Sequence, residues 1–214
     1  MAITRRPEAR HEHARRAMST PGAPRLAALY AGLALAALAS AVSAETVGLP
    51  QGLSVQLPEG WVVDGSPQGD VSRSGLRRVQ LACESEACME TQETCTLLMR
   101  ATPLAGDDDE ARLRALYASP LKRYFRLRAV LSATGPDADI RQPLERVRIG
   151  DRDWYRVQTD ARPPRRSGLF AETVVDGRYV GAICKSRETG EQRHQDGLRV
   201  IESLTSDADA AAPR

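Results

Sequence analysis

Leu169-Phe170-Ala171-Glu172-Thr173-Val174-Val175-Asp176-Gly177-Arg178-Tyr179-Val180-Gly181-Ala182-Ile183-Cys184-Lys185 reads as two apolar runs divided by an Asp-Gly pair. β-branched and aromatic residues suit a pleated, half-buried surface. Asp-Gly supplies the two positive-φ positions that a two-residue turn needs. The stretch therefore predicts an antiparallel hairpin, 169–175 against 178–185. Just upstream, 144–149 and 154–159 flank Gly150-Asp151-Arg152-Asp153 and predict a second hairpin.

Farther toward the N-terminus, 53–57 alternates and then meets Pro58-Glu59-Gly60, so a short strand ends in a turn before 61–63 resumes apolar character. Two more strands are expected at 76–83 and 95–101. Pairing Val79 with Met99 would set Leu81 opposite Leu97 and Cys83 opposite Cys95, a register that keeps each strand's apolar set on one face. Between these hairpins lies a helical segment. The acidic run Asp107-Asp108-Asp109-Glu110 complements a helix N-terminus ahead of 111–117. Ser119-Pro120 supplies a cap and a first-turn proline for a second helical stretch. There Leu121, Tyr124, Phe125, Arg128 and Leu131 mark a partial helical face, while Phe125, Leu127, Ala129 and Leu131 also alternate as in a strand; we read 120–131 as helix. A closing helix is expected over 194–204, and the small, charged stretch 207–214 is expected to be a disordered tail. The sum is an α+β fold, a largely antiparallel sheet packed against two or three helices, in a single domain spanning 45–206.

The segment Gly52-Leu53-Ser54-Val55-Gln56-Leu57-Pro58-Glu59-Gly60-Trp61, the later Ile149-Gly150-Asp151-Arg152-Asp153-Trp154-Tyr155-Arg156, the Gly177-Arg178-Tyr179 turn and the ending Ile201-Glu202-Ser203-Leu204 resemble the PsbP-like α/β/α sandwich. The resemblance could cover 52–204. It implies a sandwich of helices on a sheet. Because that family includes photosystem assembly proteins, a Ran-binding nuclear import factor and many bacterial envelope proteins, it implies no single function. The four cysteines and the arginine-rich middle depart from what the resemblance accounts for.

Residues 26–44, LAALYAGLALAALASAVSA, form an apolar run behind Arg25 that ends in the small-residue pattern Val42-Ser43-Ala44. This predicts a secretory signal cleaved after Ala44, with an uncleaved anchor as the competing reading. Met18 is an alternative start, and Arg15-Arg16 lacks the apolar continuation of a twin-arginine signal. The first 44 residues carry six arginines against two acidic residues, so from a chain total of +2 the remaining 170 residues carry −2. Such a balance gives no general electrostatic reason to hold nucleic acid. No membrane span is expected after cleavage, and the expected location is periplasmic or secreted.

Cys83, Cys88, Cys95 and Cys184 are spaced by five, seven and 89 residues, which excludes a CxxC redox motif. An even count in an exported chain predicts two disulfides. Three pairings are open; we favour one bond using Cys83 or Cys88 within the early hairpin region and one joining Cys184 to a remaining partner. A four-cysteine zinc site is the competing reading, but Cys95 and Cys184 make no second arm. No cofactor is expected.

His194, the one histidine beyond residue 44, is read as a surface residue near a helix start. The chain has no GxSxG elbow. Glu172, Glu188 and Glu191 are read as ordinary surface acids, and Asp107–Glu110 as a helix entrance in preference to a metal site. Arg112, Arg114, Arg123, Arg126 and Arg128 form a possible patch for an anionic partner, either an envelope protein or an anionic envelope component such as lipid headgroups. Their aromatic neighbours Tyr117, Tyr124 and Phe125 are read as packing residues. The expected function is that of an exported, non-catalytic accessory or binding protein. The alternative is an envelope hydrolase using His194 with a distant Ser or Cys.

Overall fold

A computed structural model describes residues 44–88, 91–100, 103–162, 166–187 and 194–211 of the chain, all within one compact unit. The segment read as a signal lies outside these residues except for Ala44. In chain order the elements are β1 (Glu45–Leu49), β2 (Leu53–Leu57), β3 (Trp61–Asp64), β4 (Asp70–Val71), β5 (Leu76–Cys83) and β6 (Thr94–Arg100). Helices α1 (Asp109–Leu116) and α2 (Pro120–Thr134) come next, then β7 (Ala138–Ile149), β8 (Arg152–Ala161), β9 (Arg166–Val175) and β10 (Arg178–Ser186). The chain closes with α3 (Gln195–Glu202), β11 (Thr205–Ser206) and α4 (Asp207–Ala211). The main sheet is antiparallel in the order β3-β5-β6-β10-β9-β8-β7, with β4 beside β5.

The hairpin β9–β10 forms as its sequence requires. Val175 pairs with Arg178 across Asp176 (φ 49°) and Gly177 (φ 76°), both in the left-handed region. β10 then lies between β9 and β6, which joins the late hairpins to the earlier β3-β5-β6 strands in one sheet.

Three layers result. One face of the main sheet carries α1 and α2, packed through Leu98, Leu113, Leu116, Val130, Val157 and Phe170. The opposite face buries Val79, Leu81, Met99, Trp154, Leu169 and Val180 under α3 and a small second sheet, β1-β2-β11. The expected α+β class holds, but the third layer is part helix and part sheet. β1, unassigned from the sequence, completes that sheet by pairing with β2 from Glu45↔Leu57 to Leu49↔Leu53.

Three expectations need correction. The β5–β6 register sets Val79 against Leu97 and Leu81 against Cys95, two residues from the expected alignment. A two-residue slip leaves every side chain on its own face, so alternation alone could not distinguish the two registers. The second hairpin turns on Gly150 and Asp151 alone, because Ile149 already pairs with Arg152. Finally, order continues into 207–211 as α4. Asp209 accepts from the Ser206 N–H at 2.9 Å, its own N–H donates to Ser206 Oγ at 3.2 Å, and Arg152 holds its carboxylate at 2.8 Å. Ser206, the last residue of β11, thus caps the short helix that follows it reciprocally with Asp209.

Candidate binding face and buried polar clusters

Helix α1 begins where Asp108, extended at the N-cap, accepts from Ala111 N–H at 2.6 Å. Asp109 accepts from Gly177 N–H at 2.8 Å and from Arg112 at 2.9 Å, which ties the helix start to the β9–β10 turn. Glu110 pairs with Arg146 and Arg114. Asp108, Asp109 and Glu110 are thus taken up by capping and ion pairs, as their position before a helix implies.

Helix α2 starts with Ser119 accepting from Lys122 N–H at 3.2 Å and Pro120 in the first turn. The 15-residue segment PLKRYFRLRAVLSAT is helical throughout, and it contains Lys122, Arg123, Arg126 and Arg128 without one acidic residue. Its end is fastened by Thr134 Oγ1, 2.5 Å from Thr159 Oγ1 in the space left by Gly168, where a Cβ would lie 2.5 Å from the Thr134 oxygen. The buried side is Val130 and Thr134 with Leu127 against the sheet, so the helical face expected to pack is the wrong one. Leu121, Tyr124 and Phe125 instead point outward, 64%, 54% and 59% exposed. Tyr117, by contrast, is buried as a packing residue.

A cavity of about 500 Å³ opens between α2, the end of α1 and the loop at Leu104–Ala105. Leu104, Leu116, Phe125 and Ala129 make it mainly apolar, and Arg112, Lys122 and Arg126 contribute its cationic lining. Of the five expected patch arginines, Arg123 and Arg128 are exposed on α2, with Arg128 donating to Tyr124 Oη at 3.0 Å. Arg114 is exposed beside Glu110. Arg112 is folded inward, donating through Nε to the Leu104 carbonyl at 3.1 Å and through Nη2 to the Gly106 carbonyl at 2.5 Å. Arg126 has a different task.

Beneath the cavity Arg126 is bonded to Glu172, a buried acid in the middle of β9. The sheet register explains how Glu172 is accommodated. It sits opposite Gly181 on one side and Tyr155 on the other. A Cβ on Gly181 would lie 2.5 Å from Tyr179 Oη, so this glycine leaves room for Tyr179 to fold across the strand and donate to Glu172 at 2.6 Å. Tyr117 donates to the same carboxylate from α1. The guanidinium of Arg126 also lies 5.4 Å and 5.6 Å from the Tyr117 and Tyr179 ring centroids. An ionised carboxyl in an apolar interior costs several kcal/mol unless paired and hydrogen-bonded, and here three donors converge on it. Burial, reinforced by the Glu172 charge, holds both phenols well above their ordinary range. Burial works against the Arg126 charge, and Glu172 together with Tyr179 and Tyr117 more than offsets it. The surface reading of Glu172 is therefore corrected, while Glu188 and Glu191 lie outside the described residues.

On the other face of the sheet, His194 is also buried, contrary to the surface reading. It caps α3 in the left-handed region (φ 61°), and its Nδ1 lies 3.1 Å from Glu93 Oε1. The buried Nε2 has no hydrogen-bond partner among the described residues, so no Ser or Cys there is placed as a nucleophile. Cys95 and Cys184, paired directly across β6 and β10, form one disulfide, and Cys83 and Cys88 form the other around a single 3-10 turn, Glu86–Cys88. Glu93 sits beside the Cys95 and Cys184 sulfurs, but those sulfurs are bonded to each other and present no thiolate for a metal.

No protein-family model matches the chain, and no curated protein matches it at a significant level. In fold it is similar to the solution structure of cyanobacterial PsbP (CyanoP) from Synechocystis sp. PCC 6803, with 16% identity, 72% of this chain and 86% of that one covered, and a TM-score of 0.44. It is similar at 11% identity and a TM-score of 0.44 to a mutant of protein Mog1, over 77% of this chain and 96% of that one. A Bacteroides thetaiotaomicron structure aligns at 9% identity and a TM-score of 0.46, over 78% of this chain and 49% of that one. The resemblance to the PsbP-like fold is weak and concerns architecture alone.

Proposed function

We propose that the protein is an exported, non-catalytic accessory or binding protein that meets an anionic lipid surface of the bacterial envelope with α2. The observation that carries this reading is the outward face of α2, where Leu121, Tyr124 and Phe125 stand exposed among Lys122, Arg123 and Arg128, with no acid in the helix. Cations interleaved with apolar side chains suit anionic headgroups over acyl chains, and a basic amphipathic helix is a common membrane-surface element. The sequence 26–44 supports export, and the periplasm or cell exterior is the location this reading requires. Among the described residues no helix is long and apolar enough to cross a membrane.

The hydrolase alternative has lost its footing, because His194 is buried against Glu93 with no nucleophile at Nε2 among the described residues. Co-sedimentation with phosphatidylglycerol vesicles tests the proposal. Binding should be salt-sensitive, weak on phosphatidylcholine vesicles, and reduced at least tenfold in Arg123→Glu/Arg128→Glu. Equal recovery on both vesicle types, or an unaffected double variant, would refute it.

A further inference from the structure

From the cavity beside α2 we infer a binding site for one anionic single-chain amphiphile, a carboxylate head on an alkyl chain. The inference rests on α2 being the lipid-facing element and adds what that element takes from the surface. A volume of about 500 Å³ falls in the range of small-molecule sites, which combine a mostly apolar lining with a few placed polar groups. Here Leu104, Leu116, Phe125 and Ala129 supply the apolar wall, and Arg112, Lys122 and Arg126 are the charged lining groups, with no acid among them. Arg112 is already tied to Asp109 and to the Leu104 and Gly106 carbonyls, which leaves Lys122 and Arg126 for a ligand.

Arg126 is positioned for this role from below. Glu172 engages Nη1, and the Tyr117 and Tyr179 rings frame the guanidinium. A guanidinium carries five N–H donors, so a group fixed through one of them can still offer a planar fork to a carboxylate. Fixing the side chain beforehand reduces the entropy lost on binding. Lys122, whose Nζ donates to the Ala115 carbonyl at 3.2 Å, adds a further cation at the same cavity. Phe125 at the rim is exposed and continues the apolar lining out to the surface that would meet the lipid.

Isothermal titration of the purified protein with dodecanoate, kept below its micellar concentration, tests the site. One dodecanoate should bind per chain, dodecyltrimethylammonium should bind at least tenfold more weakly, and acetate should give no heat. Ala129→Trp fills the cavity from an exposed helix position and should cut dodecanoate affinity at least tenfold with unchanged circular dichroism. Lys122→Glu should weaken it several-fold, and Arg126→Lys should retain part of it. Equal affinity for the cationic amphiphile, or full affinity in Ala129→Trp, would overturn the inference. Loss of dodecanoate binding with vesicle binding retained would sink this site alone. Absence of both would sink the lipid-surface reading as well.

Discussion

Arg126 on α2 and Glu172 in the middle of β9 form an ion pair that joins the exposed helix to the buried face of the sheet. The same guanidinium lines the cavity above. The pair therefore links stability of the core to the geometry of the proposed binding face.

Removing one member of this pair should cost more than removing both. Arg126→Leu leaves the Glu172 charge buried with only the two tyrosine donors. Breaking a fully buried pair costs about 3–5 kcal/mol. Arg126 is partly exposed, so about 2–3 kcal/mol is expected here. Arg126→Leu/Glu172→Leu should recover part of that loss in urea unfolding. A double variant no more stable than the single one would show that the ion pair is not the source of the cost.

Tyr117 and Tyr179 should make the fold sensitive to alkali. Both folded-state phenol pKa values are raised, by burial first and by Glu172 second. Their contribution is intact below the unfolded value of about 10 and declines as pH rises above it toward the folded value, by up to about 1.4 kcal/mol per pH unit for each tyrosine. Ultraviolet difference absorbance followed with circular dichroism should show these two tyrosines ionising only as structure is lost. Ionisation of every tyrosine in the folded state would contradict this.

The two disulfides should contribute unequally. Cys95–Cys184 closes a separation of 89 residues and Cys83–Cys88 one of five, which in the chain-entropy account correspond to about 4.6 and about 2 kcal/mol. Cys95→Ser/Cys184→Ser should therefore lower the urea midpoint more than Cys83→Ser/Cys88→Ser. Gly197 supplies an independent check, since a Cβ there would meet Glu93 Oε1 at 2.7 Å and the two sulfurs at 2.8 and 3.0 Å. Gly197→Ala should cost about 1–3 kcal/mol through overpacking. Removing the sulfurs with Cys95→Ala/Cys184→Ala should relieve part of that cost.

Much of the sheet was legible because its turns are encoded locally. Asp176-Gly177 fixes one hairpin, and Gly150 another to within two residues. The β5–β6 register was not, because a shift of two residues preserves face and pattern together. Helix α2 could be recognised from Ser119-Pro120, yet its buried side could not, since Leu121, Tyr124 and Phe125 outweigh Leu127 and Val130 in apolar content but face outward. That exposed face is a candidate site for the same reason it misleads a packing argument. Glu172 and His194 were read as surface groups because their partners are far away in sequence; Tyr117, Arg126 and Glu93 lie 46 to 101 residues from them. One cue was available for Glu172: a lone acid inside the otherwise apolar run 169–175 must either break the strand or be paired.

Acid should loosen the end of the chain before its core. Asp209 is held below the usual carboxylate range, first by Arg152 and also by Ser206. The stabilisation is present above the unfolded value of about 3.9 and is lost as pH falls through the lower folded value. The pair is partly solvent-exposed, so its worth is about 0.5 kcal/mol after screening. Asp209→Asn should flatten the stability difference between pH 5 and about pH 3. No change in that slope would assign the effect to other carboxylates.

Hydrogen–deuterium exchange of the protein with and without phosphatidylglycerol vesicles addresses the central claim most directly. Slowed exchange should be confined to α2 and the adjoining end of α1, and should disappear in Arg123→Glu/Arg128→Glu. Protection centred on β7 or on the β1–β2 sheet, with α2 unchanged, would contradict it.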